Sequence, residues 1–220
     1  MANISSANGT CRIIAPTQED CLKLYHILCK AGTGKWQYST YYGDVKDGDK
    51  PETLTDGRTV LSVWFDGYGR WSFASNIEAT FRWLQSEMTE EEWKFVTDTT
   101  FELEYEYTDS ECGVRFLNDE LVVLRHKAGQ EPTESEVFED IQEEYPFTPF
   151  WLAKKLFGGN IDEALDCEFA FDFIDESEQK DLFDISIEDY MSYFGLSNAE
   201  AKNRLFEDSD YFKKTFGGND

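Results

Sequence analysis

Seven consecutive residues, Phe101-Glu102-Leu103-Glu104-Tyr105-Glu106-Tyr107, alternate without a break between large apolar and acidic side chains. Successive side chains of a strand point to opposite faces, so this segment belongs in a sheet with one packed side and one wet side. The chain as a whole is acidic too. It has 45 Asp and Glu against 20 Lys and Arg, a formal charge of −25 over 220 residues. Charge of that size usually accompanies disorder, but 18 Phe, 11 Tyr and 6 Trp supply the apolar bulk of a core. The acids are therefore expected to decorate a folded body, which would repel nucleic acid and anionic membranes and attract basic proteins.

No apolar run reaches the ~18–20 residues of a membrane-spanning helix. Met1-Ala2-Asn3-Ile4-Ser5-Ser6 lacks the basic and apolar regions of a signal peptide. Cys11, Cys21, Cys29, Cys112 and Cys167 are odd in number and scattered, as expected of reduced, mostly buried thiols. A cytoplasmic location follows as an expectation. The charge is uneven: residues 130–220 carry 24 acids and seven bases, and residues 1–129 the other 21 and 13. The shift at Gly129-Gln130-Glu131-Pro132 predicts a boundary between a 1–129 domain and a 130–220 domain.

In the first part, 11–15 read as a strand, and Thr17 caps a helix whose Cys21, Leu24, Tyr25 and Leu28 recur at helical spacing. A Gly- and Asp-rich loop over 41–57 follows. The segment 59–65 is β-branched and aromatic, hence a strand. Gly67-Tyr68-Gly69 reads as a turn into Arg70-Trp71-Ser72-Phe73. Ser75-Asn76-Ile77-Glu78 and Thr89-Glu90-Glu91-Glu92 have the form of capping boxes, each opening a helix. After 101–107, the residues 113–117 and 121–125 read as a hairpin around Asn118-Asp119. The order β-α-β-β-α-β-β-β predicts an α+β fold: a ferredoxin-like antiparallel sheet with helices on one face. Cys11-Arg12-Ile13-Ile14 with Glu19-Asp20-Cys21-Leu22, and Arg70-Trp71-Ser72-Phe73 with Phe101-Glu102-Leu103-Glu104-Tyr105, resemble the YubB-type ferredoxin-like domain. That resemblance implies an accessory protein of a plasmid or phage and no particular chemistry.

The second part reads as a small acidic helical region. Thr133-Glu134-Ser135-Glu136 has the form of a capping box for a helix to about Tyr145, and Pro149 begins another that ends at Gly158-Gly159. Asn160 caps a third. Phe169, Phe171 and Phe173 fit a strand, and a helix is equally allowed. The stretch 186–205, with Phe194-Gly195-Leu196-Ser197 between two helices, resembles a helix-turn-helix pair and the C-terminal helices of ImmA/IrrE metallopeptidases, without their His-Glu-x-x-His motif.

Catalytic signals are weak. His26 and His126 have no Cys or acid at zinc-ligand spacing and read as ordinary helix-face or surface histidines. Ala31-Gly32-Thr33-Gly34-Lys35-Trp36 follows a helix and lacks the Ser or Thr of a phosphate loop. Asp44-Val45-Lys46-Asp47-Gly48-Asp49 and 172–184 do not fit a calcium loop. No cofactor, metal or catalytic residue is expected. The remaining candidate is the acidic surface, as an alternative to acids that serve solubility alone. Glu136, Glu139, Asp140, Glu143, Glu144, Asp162, Glu163, Asp166, Glu168, Asp172, Asp175 and Glu176 are the expected partner-binding residues, with Glu102, Glu104 and Glu106 as a further row. The expected function is that of a non-enzymatic DNA mimic of a mobile element. It would block the nucleic-acid groove of a basic host protein, of anti-restriction or anti-CRISPR type, without binding nucleic acid or membrane itself. The alternative is a transcriptional or anti-repressor regulator using the 186–206 helix pair. Residues 186–207 hold four acids against Lys202 and Arg204, so that pair lacks a basic footprint.

Overall fold

A computed structural model describes residues 4–31, 39–45, 51–70, 72–111, 115–166 and 176–218. They form an α+β structure of seven strands in an antiparallel sheet and eight helices. The chain divides into two compact units, 1–111 with 118–144, and 112–117 with 145–220.

In the first unit β1 (Ile4–Ala15) is the central strand, paired antiparallel on one side with β4 (Thr59–Arg70) and on the other with β5 (Phe101–Glu111). The sheet continues outward to β2 (Ser39–Tyr42) beyond β4, and to β6 (Phe116–His126) and β7 (Glu136–Glu144) beyond β5. A short β3 (Glu52–Thr53) also pairs with β4. The alternation of β5 holds: Phe101, Leu103, Tyr105 and Tyr107 are buried. Facing them, β1 offers small residues, Ala7, Gly9 and Cys11, in register with Asp109, Tyr107 and Tyr105. There is no space at Gly9, where a Cβ would lie 2.2 Å from the Glu106 carbonyl oxygen. β1 is therefore longer than 11–15, because its polar, small N-terminal half lies between strands that supply the bulk.

The helices α1 (Gln18–Ala31) and α2 (Ala74–Leu84) cover the inner face with Leu24, Leu28, Ile77, Phe81 and Leu84. Thr17 accepts from the Asp20 N–H at 3.1 Å, as its capping role requires. Thr89 and Glu92 close a true capping box on α3 (Glu90–Asp98). Ser75 does not cap α2, whose first residue is Ala74, with Phe73 before it making no side-chain cap. Gly67 and Gly69 do not turn the chain. They continue β4 because Phe73 folds back onto it: a Cβ on Gly67 would lie 2.0 Å from the Phe73 ring. The expected 41–57 loop contains β2's end and β3.

Two further expectations fail for one reason, cross-strand pairing. Asn118 and Asp119 do not form a hairpin tip; they lie within β6, where Thr108 Oγ1 donates to Asp119 Oδ1 at 2.8 Å and a bulge follows at Asp119/Glu120. The expected acidic helix from Thr133 is a single 3₁₀ turn, Pro132–Glu134, followed by β7, which pairs with β6 from Glu136↔Arg125 to Glu144↔Asn118. That pairing keeps 130–144 in the first unit, so the first unit extends past Gly129.

The second unit holds α4 (Pro149–Leu156), α5 (Ile161–Leu165), α6 (Glu176–Phe194), α7 (Asn198–Asp208) and α8 (Asp210–Phe216). Its core gathers Leu117, Phe150, Leu152, Ile161, Tyr190, Leu205 and Phe212. Phe183 stacks on Phe206 and Phe216, with centroids 5.7 and 4.4 Å away. Asn160 caps α5, Ser197 and Glu200 form a capping box on α7, and Gly195 takes φ +67° at the turn. Residues 169–173, where strand and helix are both allowed, lie outside the described residues, as do Cys112, Cys167 and most of the segments at 31–36 and 44–49 weighed as a phosphate loop and a calcium loop.

Candidate interaction surface

Between Lys127 and Lys154 the chain has no basic residue and seven acids. Five of them, Glu136, Glu139, Asp140, Glu143 and Glu144, stand exposed on β7, an edge strand of the sheet among the described residues. A helix would space one face of such acids at ~6 Å. The strand instead presents a position every ~3.4 Å, on alternating sides of an unpaired edge. Glu136, Glu139, Asp140 and Glu144 make no ion pair among the described residues. Phe138 and Ile141, half exposed on the same strand, add apolar area between them. Charged side chains on an edge also keep it from pairing with other sheets.

The row Glu102, Glu104 and Glu106 is largely neutralised. Arg125 Nε lies 2.6 Å from Glu102, Arg12 pairs with Glu104, and only Glu106 remains open. Burial nevertheless holds the Glu104 carboxyl above its usual range.

The remaining acids have other roles or lie elsewhere. Asp162, on α5, accepts from Ser209 Oγ at 2.5 Å and from the Asp210 and Tyr211 N–H groups at 2.9 and 3.4 Å, so it holds the start of α8. Asp162→Ala is expected to destabilise the second unit by about 1–3 kcal/mol in urea unfolding; a loss below ~0.5 kcal/mol would show that these bonds hold nothing. Glu163 accepts from Asn160 Nδ2 at 2.9 Å, and Asp166 follows the end of α5. Glu168, Asp172 and Asp175 lie outside the described residues, and Glu176 begins α6 with its side chain outside that description. The nine of these acids among the described residues are thus split, five on a strand of one unit and four on or beside helices of the other.

Three inward carboxyls went unread in the sequence. Asp109 and Glu111 continue the inner face of β5, and Glu120 sits beside them on β6, receiving the Tyr107 hydroxyl at 2.8 Å. Extending the period-two pattern past Tyr107 would have placed the first two inside. Burial pushes Asp109 up to about 7, against the pull of the Phe73 N–H, which donates to it at 3.0 Å. Burial raises Glu111 and Glu120 as well. Asp109 can hold a proton near neutrality, but none of the three lines either of two shallow depressions, of about 450 and 310 Å³. The first is bordered by Leu196, Glu200 and Arg204, the second by Met88, Trp93 and Lys94. Elsewhere, Asp189 is raised by burial and receives the Thr148 hydroxyl at 2.6 Å.

His126 is buried rather than on the surface. Its Nδ1 lies 3.0 Å from Ser135 Oγ, its ring packs on Phe101 at 4.9 Å, and burial lowers its pKa. His26 is exposed on α1. Cys11 and Cys21 are buried free thiols, both pushed up by burial, Cys21 to about 11. In the 186–206 pair Arg204 lies over the Phe194 ring at 3.7 Å and Lys202 over Phe206 at 5.5 Å, so both bases rest on the protein's own rings. Among the described residues no three metal-ligating side chains come together, and no helix is long and apolar enough to cross a membrane. No family model, curated protein or solved structure matches the chain.

Proposed function

We propose that this protein is a non-enzymatic binding protein of a plasmid or phage that blocks a basic nucleic-acid-binding protein of its host, a restriction or CRISPR-type enzyme, by standing in for nucleic acid. The observation that carries this reading is the β7 edge, with five exposed carboxylates in nine residues and no base between Lys127 and Lys154. At ~3.4 Å per residue the five carboxylates average ~7 Å apart along the strand, so they would stand in for about every second phosphate of one duplex strand, whose axial rise is ~3.4 Å. A partner's Lys and Arg would meet carboxylates where they normally meet phosphates, and long-range attraction would speed encounter. The strand order β2-β4-β1-β5, with helices after β1 and after β4, supports a ferredoxin-like reading of the first unit. The second unit carries further acids of its own, and the host cytoplasm is the compartment in which the partner would be met.

The test is duplex cleavage by a basic defence nuclease of the host, with this protein added. Wild type is expected to suppress cleavage. The variant Glu136→Gln, Glu139→Gln, Asp140→Asn, Glu143→Gln, Glu144→Gln is expected to bind the nuclease at least ~100-fold more weakly, since close charge pairs at interfaces couple by a few kcal/mol. Wild-type affinity should fall at least ~10-fold between 50 and 200 mM salt. An affinity unchanged at high salt, or full inhibition by the neutralised strand, overturns the mechanism.

A further inference from the structure

The sheet has a second face, turned away from α1 and α2, and its β2–β4 end carries three aromatic rings at about half exposure: Tyr41 at 56%, Trp64 at 51% and Tyr68 at 49%. They surround one carboxylate. Asp66 lies between Trp64 and Tyr68 along β4, directly opposite Tyr41 on β2 and Asn8 on β1. Asn8 Nδ2 donates to Asp66 Oδ1, which orients the carboxylate. The Trp64 ring is held in place. Its centroid is 5.4 Å from that of Tyr41, and it lies against Gly43, where a Cβ would come within 1.9 Å of the indole Nε1. Gly43 is itself fixed, its N–H donating to the Trp64 carbonyl at 2.9 Å and its carbonyl accepting from the Tyr25 hydroxyl at 3.0 Å. On the neighbouring row Glu106 stands exposed beside Thr10, the partner of Trp64.

Half-exposed, preorganised aromatic rings around an anion are suited to a planar cation. A guanidinium can stack on an indole or phenol ring while its N–H fork reaches a carboxylate. Exposed aromatics on a sheet also suit unpaired bases, but the phosphates of a nucleic acid would face Asp66 and Glu106 here. We infer that Tyr41, Trp64 and Tyr68 with Asp66 form a docking site for an arginine side chain of a partner protein. The inference rests on the reading of the protein as a binder of a basic partner, and it locates an anchor at the sheet edge opposite β7. Buried aromatic–arginine contacts dominate many interfaces.

The test follows the Trp64 indole N–H by NMR, assigned with Trp64→Phe, during titration with N-acetyl-arginine amide. A saturable shift with millimolar affinity is expected. N-acetyl-citrulline amide, the neutral isostere, should leave the signal in place, and Asp66→Asn should weaken arginine binding at least ~5-fold. The five-fold β7 variant should titrate like wild type. Equal responses to arginine and citrulline overturn the site, as does a larger response to uridine monophosphate, which would mark a base-stacking platform. A failure of nuclease inhibition that leaves this titration intact refutes the β7 mechanism alone. A failed titration beside intact, salt-sensitive inhibition refutes the arginine site alone.

Discussion

Asp109→Asn is expected to stabilise the protein at pH 8 by about 2–4 kcal/mol and by much less at pH 4. The folded-state pKa of Asp109 is raised from 3.8 to about 7, chiefly by burial. Between those values the folded chain binds a proton that the unfolded chain releases. Stability from this group is therefore fully present below about pH 4 and is lost as pH rises through about 7. One pKa unit corresponds to about 1.4 kcal/mol, which sets the upper end of the estimate. Asparagine keeps an acceptor for the Phe73 N–H and carries no charge to bury. Urea unfolding at pH 4, 6 and 8 measures the effect. Wild-type stability should fall across that range and the variant's should fall less, with Glu104, Glu111, Glu120 and Asp189, all raised in the same sense, contributing to the remaining slope. Parallel pH profiles for the two proteins would mean that Asp109 ionises as freely in the fold as outside it.

Phe65→Ala is expected to cost about 3–5 kcal/mol, a large part of the ~5–15 kcal/mol that separates a typical domain from its unfolded state. Phe65 sits at the centre of a ring cluster. It stacks on Phe73 at 5.2 Å, meets Tyr105 and Tyr107 edge-on at 5.3 and 5.8 Å, and lies 6.5 Å from Tyr42. Three of those rings are pinned at their hydroxyls, Tyr42 and Tyr105 to each other at 2.8 Å and Tyr107 to Glu120. They cannot collapse into the vacated space without losing buried hydrogen bonds, so a cavity persists. The neighbouring ring is the control: Trp64 faces outward, and Trp64→Ala should cost under about 1 kcal/mol by the same unfolding assay. Equal losses at 64 and 65 would contradict the register of β4.

These two residues also show what the sequence discloses and what it hides. The inward turn of Phe101, Leu103, Tyr105 and Tyr107 is legible from alternation alone, because one residue type fills each face. The segment 136–144 is not. Val137, Phe138 and Ile141 stand at spacings a helix would use, and the bulge at Asp119/Glu120 puts the strand out of simple alternation. What decides its conformation is β6, whose paired residues lie 11 to 26 positions earlier, which no local pattern contains. The N-terminal half of β1 is hidden for a related reason, since a central strand between aromatic neighbours needs Gly and Ala where propensity asks for branched residues. The acidic character of the surface was legible as a sum, but not its distribution. Ion pairs removed Glu102 and Glu104 from it, a helix start took Asp162, and Asp109 went inside. The ring of aromatics around Asp66 needs β2 beside β4, a neighbour relation that the loop reading of 41–57 left out.

Neither unit is one uninterrupted length of chain. Leu117, the second residue of β6, belongs to the core of the second unit, while the chain from Asn118 to Glu144 belongs to the first. Leu117 emerges from the ribosome long before Phe150, Tyr190 and Leu205, so it waits through the synthesis of nearly a hundred further residues for the companions that cover it. A fragment stopping at 144 strands that leucine, and one starting at 145 lacks it. Deletion mapping of this protein would therefore injure both halves with a single cut, and assigning tasks to its parts calls for point substitutions instead.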